Sequence, residues 1–242
     1  MKIRYFLVPI LALLFSCNGS DDEIIDPPTP TRADISGKVT LYDEGETQVD
    51  NSNMTVKIEG STKSATTDAA GDFVLSQVAF GTYTLVYEKA GYGTFKKFGV
   101  EHKDGNTFIP GTVTLGEVST TKVTDLEAGV EGGNVLVSIT TDPAGSLDNK
   151  RYVRYFLSTD PGVSNENFTY YSGVILFENN PRRLVLTPDF LEGEGFASGQ
   201  TVYVKAYGDS VFANDYLDPD LSRWVFPNLN MNAADAASFV VP

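Results

Sequence analysis

Cysteine and histidine are almost missing: the 242-residue chain holds 1 Cys and 1 His. One thiol cannot close an internal disulfide, the pair cannot furnish a Cys/His zinc site, and any Ser-His-Asp triad would have to rest on His102 alone. Positive charge is also scarce, with 18 Lys and Arg against 32 Asp and Glu and a net charge of -14. Nucleic acid, a dense polyanion, is excluded as a partner by that balance. The longest apolar run, residues 5–15, falls short of the roughly 20 residues a membrane-spanning helix needs. Nowhere do apolar residues recur at the 3.6-residue period of an amphipathic helix. What is present, 41% apolar and aromatic residues with 21% charged, is the composition of a folded globular chain, long enough for one large domain or two sandwich-sized ones.

The start of the chain reads as an export address. Lys2 and Arg4 precede the apolar run, and the small Ser16 precedes Cys17, so residues 1–16 are expected to be a signal peptide. Leu14-Phe15-Ser16-Cys17 resembles a bacterial lipobox, with Phe15 bulkier than the residue usual there. The resemblance implies cleavage before Cys17, lipidation of its thiol and a membrane partner through the lipid, with several acyl chains for durable anchoring. Directly behind it, Asn18-Gly19-Ser20-Asp21-Asp22-Glu23 is similar to the acidic tag of Bacteroidota lipoproteins displayed on the outer leaflet of the outer membrane. A plain solvated linker is the alternative. Outer-membrane anchoring at the cell surface is therefore the expected location. Residues 17–33 make the linker; its proline-rich part favours extended geometry and a reach of roughly 50 Å.

Beyond the linker, apolar and polar residues alternate in short runs separated by Gly, Asp and Asn, which predicts an all-β fold of two tandem β-sandwiches. In the first, residues 34–117, Ile35, Val39 and Leu41 share one strand face, and Met54, Val56 and Ile58 another. Four motifs follow in order: Gly37-Lys38-Val39, Thr67-Asp68-Ala69-Ala70-Gly71-Asp72-Phe73, Val78 with Gly81-Thr82-Tyr83-Thr84-Leu85, and Ala90-Gly91-Tyr92. Together they resemble the carboxypeptidase regulatory-like, transthyretin-like β-sandwich, a resemblance that implies a non-catalytic module for spacing, folding support or protein contact. Mechanically, Asp68 is expected to bond backbone amides across a turn, Gly71 to take a positive φ and Phe73 to enter the core. The Lys-Asn isopeptide bond of related modules is not expected, because Lys38 has no convincing partners.

In the second, residues 118–242, the core-facing sets are Val135, Val137 and Ile139; Val153, Tyr155 and Leu157; Leu184 and Leu186; Val202, Val204 and Ala206; Phe239 and Val241. Their order resembles a fibronectin type III or immunoglobulin-like sandwich, although Val202 stands where a corner tyrosine is often found. By strand parity Tyr203, Lys205 and Tyr207, with Tyr152, Arg154 and Phe156, point to the outer face. That face is either cross-strand packing or an aromatic platform for a sugar ring. Residues 208–235 are expected to form a long binding loop at one end of the sandwich. It carries Phe212, Phe226 and the candidate ligand-binding residues Trp224, Tyr216 and Arg223, to which Tyr203 and Tyr207 are added. The alternative is that Trp224 caps the core. Asp215, Asp218 and Asp220 are either calcium ligands or ordinary turn residues, and turn chemistry is the expectation, so no metal is assigned. His102, in a polar turn, is expected to be exposed. No catalytic constellation and no cofactor are indicated. The expected function is a non-catalytic, lipid-anchored binding or adhesion protein with a glycan or outer-membrane protein as partner; the alternative is a spacer or assembly subunit.

Overall fold

The structure, a computed structural model, describes residues 31–242. The expected signal, Cys17, the acidic run and the proline-rich stretch up to residue 30 lie outside the described residues. In chain order the elements are β1 (Arg32–Tyr42), β2 (Thr55–Ile58), β3 (Ser64–Thr66), β4 (Asp72–Ala79), β5 (Gly81–Glu88), β6 (Phe95–His102), β7 (Thr107–Gly116), β8 (Lys122–Glu131), β9 (Asn134–Asp142), β10 (Arg151–Ser158), β11 (Tyr170–Tyr171), β12 (Ile175–Phe177), β13 (Arg182–Leu186), α1 (Pro188–Gly193), β14 (Thr201–Gly208), β15 (Tyr216–Asp218), β16 (Arg223–Val225) and β17 (Ala237–Val240). The all-β expectation is correct, with a single short helix among the described residues.

In the first sandwich, sheet β4-β1-β7 faces sheet β3-β2-β5-β6. Strict alternation along β1 puts Ile35, Val39 and Leu41 into the core, where they meet Met54, Val56, Phe73, Leu85 and Tyr87. Each such side chain contributes roughly 1.5–3 kcal/mol by leaving water. The turn that leads from β3 into β4 and sets β4 against β1 works as its residues require. Asp68 accepts from the amides of Ala70 (2.9 Å) and Asp72 (3.0 Å). Gly71 has φ +84, and a Cβ there would lie 1.9 Å from the Val39 carbonyl oxygen. His102 departs from expectation: only 1% exposed, it bonds Thr107 Oγ1 (2.7 Å) and the Val78 carbonyl (3.2 Å) and packs edge-on to Phe80. The polar residues around it in sequence point outward, while β7 and β4 close over the ring.

In the second sandwich, sheet β13-β9-β8 faces sheet β11-β10-β14-β17, with β12 also paired to β10. The core contains every inward set read from alternation, with Leu184 partly buried at its margin, and adds Phe177, Leu191 and Phe196. Leu191 reaches it from α1, whose N-terminus is capped by Thr187 Oγ1 accepting from the Phe190 amide (3.2 Å) and started by Pro188, which needs no hydrogen-bond acceptor.

The two sandwiches meet along a polar seam. Asn228, fully buried, donates to the carbonyls of Gly116 (3.0 Å) and Phe212 (2.9 Å) and accepts from the Gly93 amide (3.1 Å) and Asn214 Nδ2 (2.9 Å). Asn214 in turn takes both backbone groups of Gly116, each at 2.9 Å. Backbones approach closely: a Cβ on Gly93 would fall 2.4 Å from Pro227 Cβ, and one on Gly116 2.5 Å from the Phe212 carbonyl oxygen. Across the seam, Glu44 accepts from the Thr120 amide (2.7 Å), Thr120 Oγ1 (2.7 Å) and Arg151 (2.6 Å). The Tyr42 and Phe212 rings meet at 4.2 Å.

Candidate functional site

The outer face of β10 and β14 is not a free aromatic platform. Arg154 lies opposite Tyr207 and Phe156 opposite Lys205, as parity required, but Arg154 is 3%, Phe156 0% and Tyr207 3% exposed. Residues 160–172 and 208–230 fold over this face and build a second apolar cluster from Phe156, Val163, Tyr207, Phe226 and Leu229, with Tyr203 and Phe168 packed against it. Tyr207 is therefore a core residue and Tyr203 a half-buried one, and Tyr152, at the edge of the seam, is buried too. Burial corrects Tyr207 as a ligand-binding candidate, while Tyr203 keeps part of its surface beside the cluster. Parity gives the face a side chain points to; it does not tell that a distant segment will cover that face.

Within this cover lies a buried ion network. Arg154 Nε donates to Asp209 (2.7 Å), one terminal nitrogen to Asp215 (3.3 Å) and the other to the Ser172 carbonyl (3.0 Å). Its guanidinium lies 4.7 Å from the centroid of Phe226, an attractive cation-π distance. Burial pushes the Asp209 carboxyl up to about 6, while Arg154 and the Ser210 amide pull it back down.

Residues 208–235 lie across the sandwich face and against the first unit rather than at a free end, and they contain the hairpin β15–β16. Cross-strand register pairs Tyr216 with Val225, Leu217 with Trp224 and Asp218 with Arg223. Side chains alternate, so Tyr216 and Trp224 face opposite ways. Tyr216 packs on Phe95 (5.9 Å) and Phe98 (6.0 Å) of β6 and ties the hairpin to the first sandwich. Burial raises its phenol above the ordinary value. Trp224 faces solvent, 36% exposed, beside Leu217 at 54%. Behind it an aromatic series runs inward: Tyr171 at 6.1 Å from Trp224, Phe226 at 5.0 Å from Tyr171 and the buried Phe156 at 5.1 Å from Phe226. Arg223 is paired with Glu166 at 3.1 Å. By the same alternation Arg223 and Asp218 share the Tyr216 face, so the hairpin separates Trp224, with Leu217, from both Tyr216 and Arg223. Leu217, Tyr171 and Glu166 were not singled out in the sequence; Asp218-Pro219-Asp220, a turn signal between two short apolar pairs, marks the hairpin that places Leu217 beside Trp224.

Asp215 and Asp218 have structural partners. Asp215 pairs with Arg154, and Asp218 accepts from the amides of Asp220 (2.9 Å) and Leu221 (3.1 Å) in the hairpin turn. Among the described residues no three His, Cys, Asp or Glu side chains converge as metal ligands would. An exposed apolar and aromatic pair on a rigid base can stack on a flat apolar ligand face.

Residues 34–124 match the carboxypeptidase regulatory-like domain family, running past residue 117 into β8. No curated protein matches the chain. Among solved structures, the chain is similar to a type II cohesin–X-dockerin complex of Acetivibrio cellulolyticus at 28% identity over 36% of this chain and 58% of that chain, with a TM-score of 0.30. It therefore spans little more than half of the first matching structure. A DUF3823 family protein of Parabacteroides merdae matches at 12% identity over 86% of this chain and 98% of that one, TM-score 0.30. The major pilin subunit of Bacillus cereus matches at 12% identity over 86% and 69%, TM-score 0.28.

Proposed function

We propose that this is a non-catalytic, cell-surface binding protein, lipid-anchored to the outer membrane through Cys17, whose recognition surface is the outward face of β15–β16 and whose ligand is a neutral glycan. The observation that carries the reading is the solvent-facing Leu217–Trp224 pair backed by Tyr171, Phe226 and Phe156. A tryptophan held by such a stack loses little freedom on binding and offers a flat face to a pyranose. The chain's net charge of -14 disfavours polyanionic glycans and leaves neutral ones.

Binding of the whole chain to a panel of neutral oligosaccharides tests this. Trp224→Ala should weaken binding by about 10-fold or more, as loss of a stacking anchor does, while far-UV circular dichroism and the melting temperature stay close to the parent. An absence of binding across the panel, or equal binding by the variant, overturns the glycan reading. Mass spectrometry of the native protein addresses the anchor: an acylated Cys17 at a new N-terminus is expected, and an unmodified thiol behind an intact Met1 overturns it.

A second reading, a rigid spacer in an outer-membrane assembly, draws on the seam through Glu44, Asn214 and Asn228, which fixes one sandwich on the other. Co-purification of one stoichiometric membrane partner in mild detergent favours it; a solitary monomer counts against it.

A further inference from the structure

Sheet edges in this protein are mostly defended. Of the longer edge strands, β4 is interrupted at Gln77 (φ 52), β6 at Gly99 (φ 66) and β7 at Pro110-Gly111 (Gly111 φ 75). The strands β3, β11, β12, β13 and β17 are five residues or shorter. Bulges, prolines and brevity of this kind keep a sheet from adding a further strand. The strand β8 is different. It lies at the edge of β13-β9-β8 and keeps unbroken register with β9 from Asp125 to Glu131, with no proline. Beyond β9, backbone hydrogen bonds reach that edge only at its start, where the Ala234 amide donates to the Val123 carbonyl (2.7 Å), while β17 packs beside it from the facing sheet.

Charge is what guards the rest. Asp125, Glu127 and Glu131 are exposed on the outer face of β8, and none of them has a described Lys or Arg within ion-pair distance. Between two of these acids sits Gly129. Its φ is not positive and an added Cβ would meet nothing within 4 Å, so neither backbone conformation nor packing requires glycine there. A glycine inside a strand often marks a place where another backbone approaches. Here it opens a hollow of about 560 Å³ whose lining includes Glu127, Ala128, Gly129, Glu131, Arg183 and Ala237. Val130 next to it is 52% exposed.

We propose that the free edge of β8, residues 126–131, accepts an extended strand of a partner protein that carries Lys or Arg at alternate positions with apolar residues between them. Backbone hydrogen bonds to the edge supply the pairing, as in other strand additions, and side-chain complementarity supplies the choice. Cations on the added strand meet Glu127 and Glu131 across the pair, and its apolar residues lie against Ala128, Val130 and Ala237. A second copy of this chain is rejected, because edge-to-edge pairing would oppose two acidic rows. The chain's own Asp21-Asp22-Glu23 run is rejected for the same reason. The proposal concerns a surface separate from Trp224 and stands or falls independently of the glycan.

The test uses the whole chain and a short acetylated and amidated peptide alternating Lys and Val. Amide hydrogen exchange should slow by about tenfold or more at the β8 amides that are not bonded to β9, with no comparable change on the other sheet edges. The same peptide N-methylated at alternate residues keeps every charge but loses one edge of donors, and its binding should fall by about tenfold. Gly129→Lys, for which the structure has room, should weaken the parent peptide by a similar factor by placing a cation in the acidic row. No binding, equal binding of the methylated peptide, or binding without protection at β8 overturns the proposal.

Discussion

Replacing Arg154 with methionine should lower the stability of the second sandwich by about 3–5 kcal/mol, the cost typical of stranding one partner of a buried ion pair. Arg154 is 3% exposed and Asp209 1%, and the guanidinium makes hydrogen bonds to Asp209, Asp215 and the Ser172 carbonyl at once. Methionine fills the space on Phe226 but leaves the Asp209 carboxylate with the Ser210 amide (2.8 Å) as its remaining side-chain partner. Chemical denaturation followed by tyrosine and tryptophan fluorescence measures the loss. The double variant Arg154→Met/Asp209→Asn removes the buried charge and should recover most of it. A deficit under about 1 kcal/mol for the single variant would mean that the carboxylate finds water, and the network would then not be a fixed part of the cover.

The same pair sets a pH signature. Asp209 in the folded protein is pushed up to about 6 from an ordinary 3.8, so the folded state holds this proton more tightly than the unfolded chain does. The group's contribution to stability is therefore largest at acid pH, declines as pH rises from about 4 through about 6, and is level above that. Without Arg154 the carboxyl loses an attraction that lowers it, and the decline extends to higher pH. The gap between Arg154→Met and the parent should accordingly be widest near about pH 8 and narrow toward about pH 5.

Both cores were legible because alternation is local. Ile35, Val39 and Leu41, or Val202, Val204 and Ala206, announce a buried face within a single strand, and the Asp68–Gly71 turn announces its own hydrogen bonds. What the sequence hid depends on contacts between distant residues. Arg154 and Phe156 carry the parity of an outer face, and their burial comes from Phe226, some seventy positions later. His102 looks exposed beside Glu101 and Lys103, and its burial comes from Thr107 and Val78. The candidate site divides in the same way. Trp224 was found as the chain's lone tryptophan, whereas its separation from Tyr216 follows from hairpin register, which one residue of slip would reverse. Nothing in the local pattern marks Asn214 and Asn228, which act as the lock between the sandwiches.

That lock gives the other large effect. Asn228→Ala should cost about 3 kcal/mol and, more tellingly, split one unfolding transition into two. All four hydrogen-bonding positions of the Asn228 amide are used: two donated bonds, to Gly116 and Phe212, and two accepted, from Gly93 and Asn214. Alanine leaves the Gly93 amide and one Asn214 donor buried without that acceptor, and no water-sized polar substitute is supplied by the apolar methyl. Because these groups belong to both sandwiches, the loss falls on their coupling and not on either core. Gly93→Ala provides the matching case by steric means, since its Cβ would press on Pro227 Cβ at 2.4 Å and Asn228 Oδ1 at 2.5 Å without removing any bond. Differential scanning calorimetry should show a single endotherm for the parent and two for each variant, and limited proteolysis should begin between residues 117 and 121 as the sandwiches separate. One unshifted endotherm in both variants would show that Glu44, Arg151 and the Tyr42–Phe212 stack hold the units together without the asparagines.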